Sequence, residues 1–178
     1  MDLQNKFFIT LLITSSSLSV YAEKVTEARL DEIAHRGAQI MPFNLEQTTH
    51  VFSKKEKGGL QQVVVKDQSN TEQIKLIRQH LVEIANKFKQ GDFSDPSQLH
   101  GDNMPGLATL KKAKQNEIKI IYTELSDGAQ IVYSSDQPSL VLAIHQWFDA
   151  QLSDHARHAM PHHPHHLMHH KKTSIKPK

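Results

Sequence analysis

The chain predicts an α+β, two-layer fold: an antiparallel sheet of about four strands, built from two hairpins, with helices packed on one side. Two observations carry this. Two stretches of β-branched and aromatic residues are each broken by a glycine-containing turn, Gly58-Gly59 in one and Ser126-Asp127-Gly128 in the other. Each is followed by a segment whose apolar residues recur every three or four positions, the period of a helix with one buried face. Two hairpins and two amphipathic helices bury their apolar faces most simply as a sheet against a helical layer.

The elements follow in order. Residues 23–39 predict a helix, with Val25, Ala28, Leu30, Ile33 and Ala34 at helical spacing and Gly37 near its end. Met41-Pro42-Phe43 is an extended connector, because the residue before proline is pushed out of the helical region. Thr48 to Phe52 and Leu60 to Val65 are the strands of the first hairpin, and the charged run Lys54-Lys55-Glu56-Lys57 is its solvated tip. Ile74, Ile77, Leu81, Ile84 and Phe88 mark the next helix, capped by Asn70 or Thr71 and stopped by Gly91. Residues 92–106, rich in Gly, Pro, Asp and Ser, predict an irregular loop, with a short helix over 107–114. Ile118 to Thr123 and Ala129 to Tyr133 form the second hairpin. Asp136 can then cap a last helix whose buried stripe is Leu140 or Val141, Ile144, His145, Phe148 and Leu152.

Residues 1–22 have the pattern of an export signal: Lys6, an apolar run from Phe7 to Ile13, and Val20-Tyr21-Ala22 before the cleavage point. The run is too short for a stable membrane span, so a periplasmic or secreted chain with no stable membrane anchor is expected. Cleavage leaves 156 of 178 residues, which suits one domain over 23–157 and a disordered, His/Met-rich basic tail over 158–178. There is no cysteine, which excludes disulfides, thiolate metal sites and a cysteine nucleophile. The excess of two positive charges belongs to the tail, because residues 23–153 hold 15 basic against 17 acidic side chains. No basic face or recognition motif points to nucleic acid.

The tail is the strongest chemical signal. Eight of the thirteen histidines lie between Asp154 and His170: His155, His158, His162, His163, His165, His166, His169 and His170. Imidazole is the commonest protein metal ligand, and Met160 and Met168 add soft thioethers, so the composition suggests metal capture. The competing interpretation is a solvated extension that meets metal incidentally. In the body, His50 begins a strand, His80 and His145 border helix stripes, and His100 lies four residues before Met104. These five join the tail histidines as candidate metal ligands, and a two-layer fold could bring His50, His100 and His145 to one rim. Copper is the expected ion, with zinc or nickel as alternatives. A haem or sensory module using His100 or His50 is a second candidate, and an enzyme acting at the 92–106 loop a third. No nucleophile elbow, phosphate loop, dinucleotide fingerprint or His-Glu-x-x-His is present.

Three segments, Pro42 to Phe52, His100 to Ala108 and His145 to His155, resemble a small family of exported bacterial proteins over roughly residues 40–158. Some members of that family are named as aspartate carbamoyltransferases. The resemblance implies membership and export and supplies no mechanism. Carbamoyltransferase activity is not expected, because the chain is far shorter than such a catalytic chain and lacks the Ser-Thr-Arg-Thr-Arg motif for carbamoyl phosphate.

Overall fold

The computed structural model describes residues 25–161; residues 1–24, which include the expected signal, and 162–178 lie outside the described residues. The fold is α+β. Helix α1 (Glu27–Ile40) precedes a short 3-10 turn and the hairpin β1 (Thr48–Lys55) and β2 (Gly58–Val65). Helices α2 (Thr71–Lys89), α3 (Ser94–His100) and α4 (Leu107–Leu110) come next. The hairpin β3 (Lys119–Leu125) and β4 (Gly128–Ser134), helix α5 (Pro138–Asp154) and a two-residue strand β5 (Ala159–Met160) complete the order.

The strands lie in the order β3-β4-β2-β1-β5. Both hairpins are antiparallel, and β2 and β4 join them antiparallel, with Gln61 opposite Ile131 and Val63 opposite Ala129. The expected four strands are therefore present as a continuous antiparallel unit. The sheet has a fifth strand as well, because β5 pairs parallel to β1 with His50 opposite Ala159. Two residues carry no periodicity to read, so this strand has no signature in the sequence.

Helices α2 and α5 cover the sheet face that presents Phe52 and Tyr133. Phe148 of α5 meets both rings, and Phe88 of α2 meets Tyr133. The stripe expected on α2 is the one that is buried, Ile74, Ile77, Leu81, Ile84 and Phe88, with Ala85 added. Asn70 caps α2 by accepting from the Gln73 amide at 3.2 Å. Gly91, at φ 78°, follows the last turn as the left-handed residue that ends it. On α5 the buried face is Leu140, Ala143, Ile144, Trp147, Phe148 and Gln151. The expected cap is not used: Asp136 is held by Lys57, Gln137 is the N-cap residue, and no side chain caps the first turn of α5.

Three further boundaries move. The stretch over 92–106 is partly ordered as α3, with Pro96 in its first turn, where a missing amide costs nothing. The following helix is only four residues long. The body also continues past residue 157: the His50 amide donates to His158 O at 2.8 Å, and Ser53 Oγ donates to Pro161 O at 2.7 Å.

Gly106 sets the approach of α4 to α5. It sits at φ 77°, and a Cβ there would collide with the Ala143 carbonyl. Gly106→Ala should lower stability by roughly 2–4 kcal/mol, combining left-handed strain with overpacking, as measured by denaturant unfolding. A chain ending at Arg157 should be less stable than one ending at Pro161 by about 2–4 kcal/mol, because it loses the strand β5 bonds and the His158 contacts. Equal midpoints for the two truncations would show that β5 adds nothing to the fold.

Candidate functional site

The histidines gather where α1, α3, α5 and β1 meet. His50 projects from β1 toward the helices, between Phe43 and Phe52, whose ring centroids lie 5.8 and 6.2 Å away. His100 is the last residue of α3, and His155 follows the last turn of α5. The His155 ring stacks on His50 at 5.1 Å and meets His100 edge-on at 4.9 Å. All three are buried.

A set of charged groups orients His100. Asp154 Oδ2 lies 2.7 Å from His100 Nδ1, and Arg29 Nη2 donates to Asp154 Oδ2 at 2.9 Å and to the His100 carbonyl at 2.8 Å. Partial burial works to raise the Asp154 pKa, but the hydrogen bonds from His100 and Arg29 outweigh it and hold the carboxyl below its usual range. An ionised carboxylate can only accept, so Nδ1 carries the proton and a neutral His100 presents the bare Nε2 lone pair. That nitrogen is buried and has no partner, and His50 Nδ1 and Trp147 Nε1 are in the same state.

All three of these residues line one cavity of about 60 Å3. His80, His155, Gln61, Gln151 and Met41 line it too, among apolar side chains. Buried polar atoms are almost always paired, directly or through water, and these three nitrogens have no protein partner among the described residues. Burial drives the His50 pKa down to about 3 and, with neighbouring imidazoles, takes His155 well below its usual value. Burial lowers His80 as well. Neutral imidazoles are the form that binds metal. Among the described residues, however, no three His, Asp or Glu groups are arranged around a common ion position.

The expected ligand set is thus partly regrouped. His50, His80 and His100 share the cavity as a two-layer fold allows. His145 does not join them: its Nε2 lies 2.9 Å from both Lys55 O and Gly58 O, so it ties α5 to the first hairpin turn. His155, read as a tail residue, stands where His145 was expected. His158 is buried and bonded to Glu46 Oε1 at 2.7 Å. Met104 is a core residue that does not line the cavity, and Met41 is the methionine that does. His162, His163, His165, His166, His169 and His170 lie outside the described residues.

Asp154, Arg29, Trp147 and Met41 carry no pattern that the sequence could have flagged, apart from the adjacency of Asp154 to His155. Arg29 meets Asp154 across 125 positions of chain. No protein-family model, curated protein or solved structure matches the chain.

The cluster makes a stability prediction for the metal-free protein. The unfolded chain protonates His50 and His155 near pH 6.5, whereas the folded chain resists. Their depressed values contribute stability that is present above about pH 6.5 and lost as pH falls through that value toward 3. Two such groups give a loss of roughly 2.7 kcal/mol per pH unit. Unfolding midpoints measured from pH 7 to pH 5 should fall accordingly, and His50→Phe should reduce the slope by about one proton; an unchanged slope would contradict it.

Proposed function

We propose that this is an exported, periplasmic metal-binding protein, most suited to copper, with a selective site in the body and a histidine-rich capture tail. The observation that carries the reading is the pair of buried, unpartnered imidazole nitrogens, His50 Nδ1 and His100 Nε2, on one cavity. The second nitrogen of His100 is held by a carboxylate, the usual way a metal-ligating histidine is oriented.

Several features favour copper. Imidazole donors rank Cu(II) above the other divalent first-row ions, and the thioether of Met41 beside the cavity extends the range to Cu(I). Zinc and nickel accept the same nitrogen donors, with geometry rather than affinity separating them. The cavity volume suits an ion with its immediate ligands and gives no support to haem. Further ligands come from the neighbouring His155, from the tail histidines or from exchangeable small ligands. Tail capture follows from composition: closely spaced imidazoles bind Cu(II) through neighbouring nitrogens.

The Asp154–His100 pair favours a second reading. A histidine oriented by a carboxylate, with its far nitrogen buried and without a protein partner, has the arrangement of a general base. On this reading the body is an enzyme acting beside α3. No nucleophilic side chain of the cavity lining completes the constellation.

Calorimetric titration with Cu(II) separates the roles. The full chain should take up several ions, and Ala substitution of the six histidines from His162 to His170 should reduce this to one tight site. Adding His50→Ala and His100→Ala to that variant should abolish the remaining site. Retention of tight binding in the combined variant would discard the body site; unchanged stoichiometry without the tail histidines would discard capture.

A further inference from the structure

Helix α3 forms one wall of the histidine cavity: Asp95, Pro96, Leu99 and His100, four of its seven residues, line it. Its two ends are held in different ways. At the first, the ring of Phe93 is locked in the core, stacked on Phe88 at 4.5 Å and edge-on to Trp147 at 6.4 Å. Lys87 holds Asp95 at this same end. The far end is latched by three polar contacts: Arg29 donates to the His100 carbonyl at 2.8 Å, Arg36 donates to the Leu99 carbonyl at 3.4 Å, and His100 Nδ1 lies 2.7 Å from Asp154. Both arginines belong to α1, the helix on which α3 chiefly rests, and α1 itself buries only Ile33 and Gly37. The chain leaves α3 through Gly101, at φ 92° and ψ 160°, a backbone region that essentially only glycine occupies. A Cβ there would meet nothing within 4 Å, so the backbone angle and not packing calls for glycine. Exposed Asp102 and Asn103 follow before the chain is anchored again at buried Met104.

We infer that α3 is a hinged gate to the histidine cavity: it turns about its Phe93 end, its Leu99 and His100 end leaves Arg29, Arg36 and Asp154, and Gly101 takes up the change in backbone angle. This goes beyond the metal-binding reading, because it concerns access to the buried imidazoles of His50 and His100 whatever reaches them. The latch consists of hydrogen bonds whose partners all find water when it opens, so each contributes little net to the closed position. Opening exposes Pro96 and Leu99, the two apolar side chains that α3 buries, a small area beside the core of the fold. Closing returns His100 to Asp154, so one contact both latches the gate and orients the ring.

Diethyl pyrocarbonate modifies accessible histidine nitrogens, and peptide mass spectrometry of the metal-free full chain reads each one separately. In the wild type, His50 and His100 should react at closely similar rates, far below that of exposed His35. Those rates should not change in guanidinium kept below the unfolding transition, because a local opening exposes little surface. Gly101→Ala strains the closed position without a clash, so it should speed both residues roughly tenfold and leave His35 unchanged. Arg36→Gln removes one latch bond from a different helix and should speed both about threefold.

Three results overturn the gate. Wild-type rates that track global unfolding across the guanidinium series mean that the cavity opens only with the whole fold. A rise at His100 alone in Gly101→Ala means local loosening beside the substitution, since His50 lies on β1 and must be reached through the cavity. No rise at either residue means that α3 stays in place. Should Gly101→Ala fail to fold, the wild-type series and Arg36→Gln decide the matter. All of these measurements are made without metal, so they stand or fall separately from the copper titrations.

Discussion

The ion pair between Arg29 and Asp154 holds together the part of the molecule where the buried histidines His50, His100 and His155 gather. One guanidinium bonds the carboxylate at the end of α5 and the last carbonyl of α3, and the carboxylate bonds the ring of His100. Three helices distant in sequence are thereby fixed at one point. A partly buried carboxylate is costly to desolvate, and such a group persists only where partners occupy its lone pairs. The ionised carboxylate in turn sets the tautomer of His100, so the contact that offsets the burial of Asp154 is the one that leaves Nε2 as the nitrogen without a protein partner.

Around that point the core behaves in an ordinary way. Phe52, Tyr133, Trp147 and Phe148 meet edge-on or tilted, the arrangement aromatic quadrupoles prefer, and they form the contact between sheet and helices. The polar cluster sits beside this aromatic core. The same burial that stabilises the fold therefore favours the neutral form of His50, His80 and His155.

The layered architecture was legible because it depends on local periodicities. The stripe from Ile74 to Phe88 and the Asp127-Gly128 turn each declare their element within a few residues, and the α2 face and β3–β4 register match them. The site was legible only in residue type. That His50 and His100 would share a cavity follows from the layering. That His155 and not His145 would join them depends on where each lies along α5: His145, in the middle of the helix, bonds the first hairpin turn, and His155, ten residues on, follows the last helical turn. Met41 and Met104 differ likewise. Each follows a helical or loop segment and each is buried, but only α1 delivers its methionine to the cavity. Long-range pairs such as Arg29 with Asp154 have no local signature at all.

The position of β5 links body and tail physically. His155 completes the cluster, and its carbonyl accepts from the His158 amide at 2.7 Å. The His158 carbonyl then accepts from the His50 amide, so the chain leading into the histidine-rich segment is bonded to the backbone of a cavity residue. The last described strand before Pro161 is two residues long, paired at His50 and Val51. A strand that short contributes few bonds and opens at low cost compared with the rest of the sheet. This short strand is what joins the end of α5 to β1 beside His50.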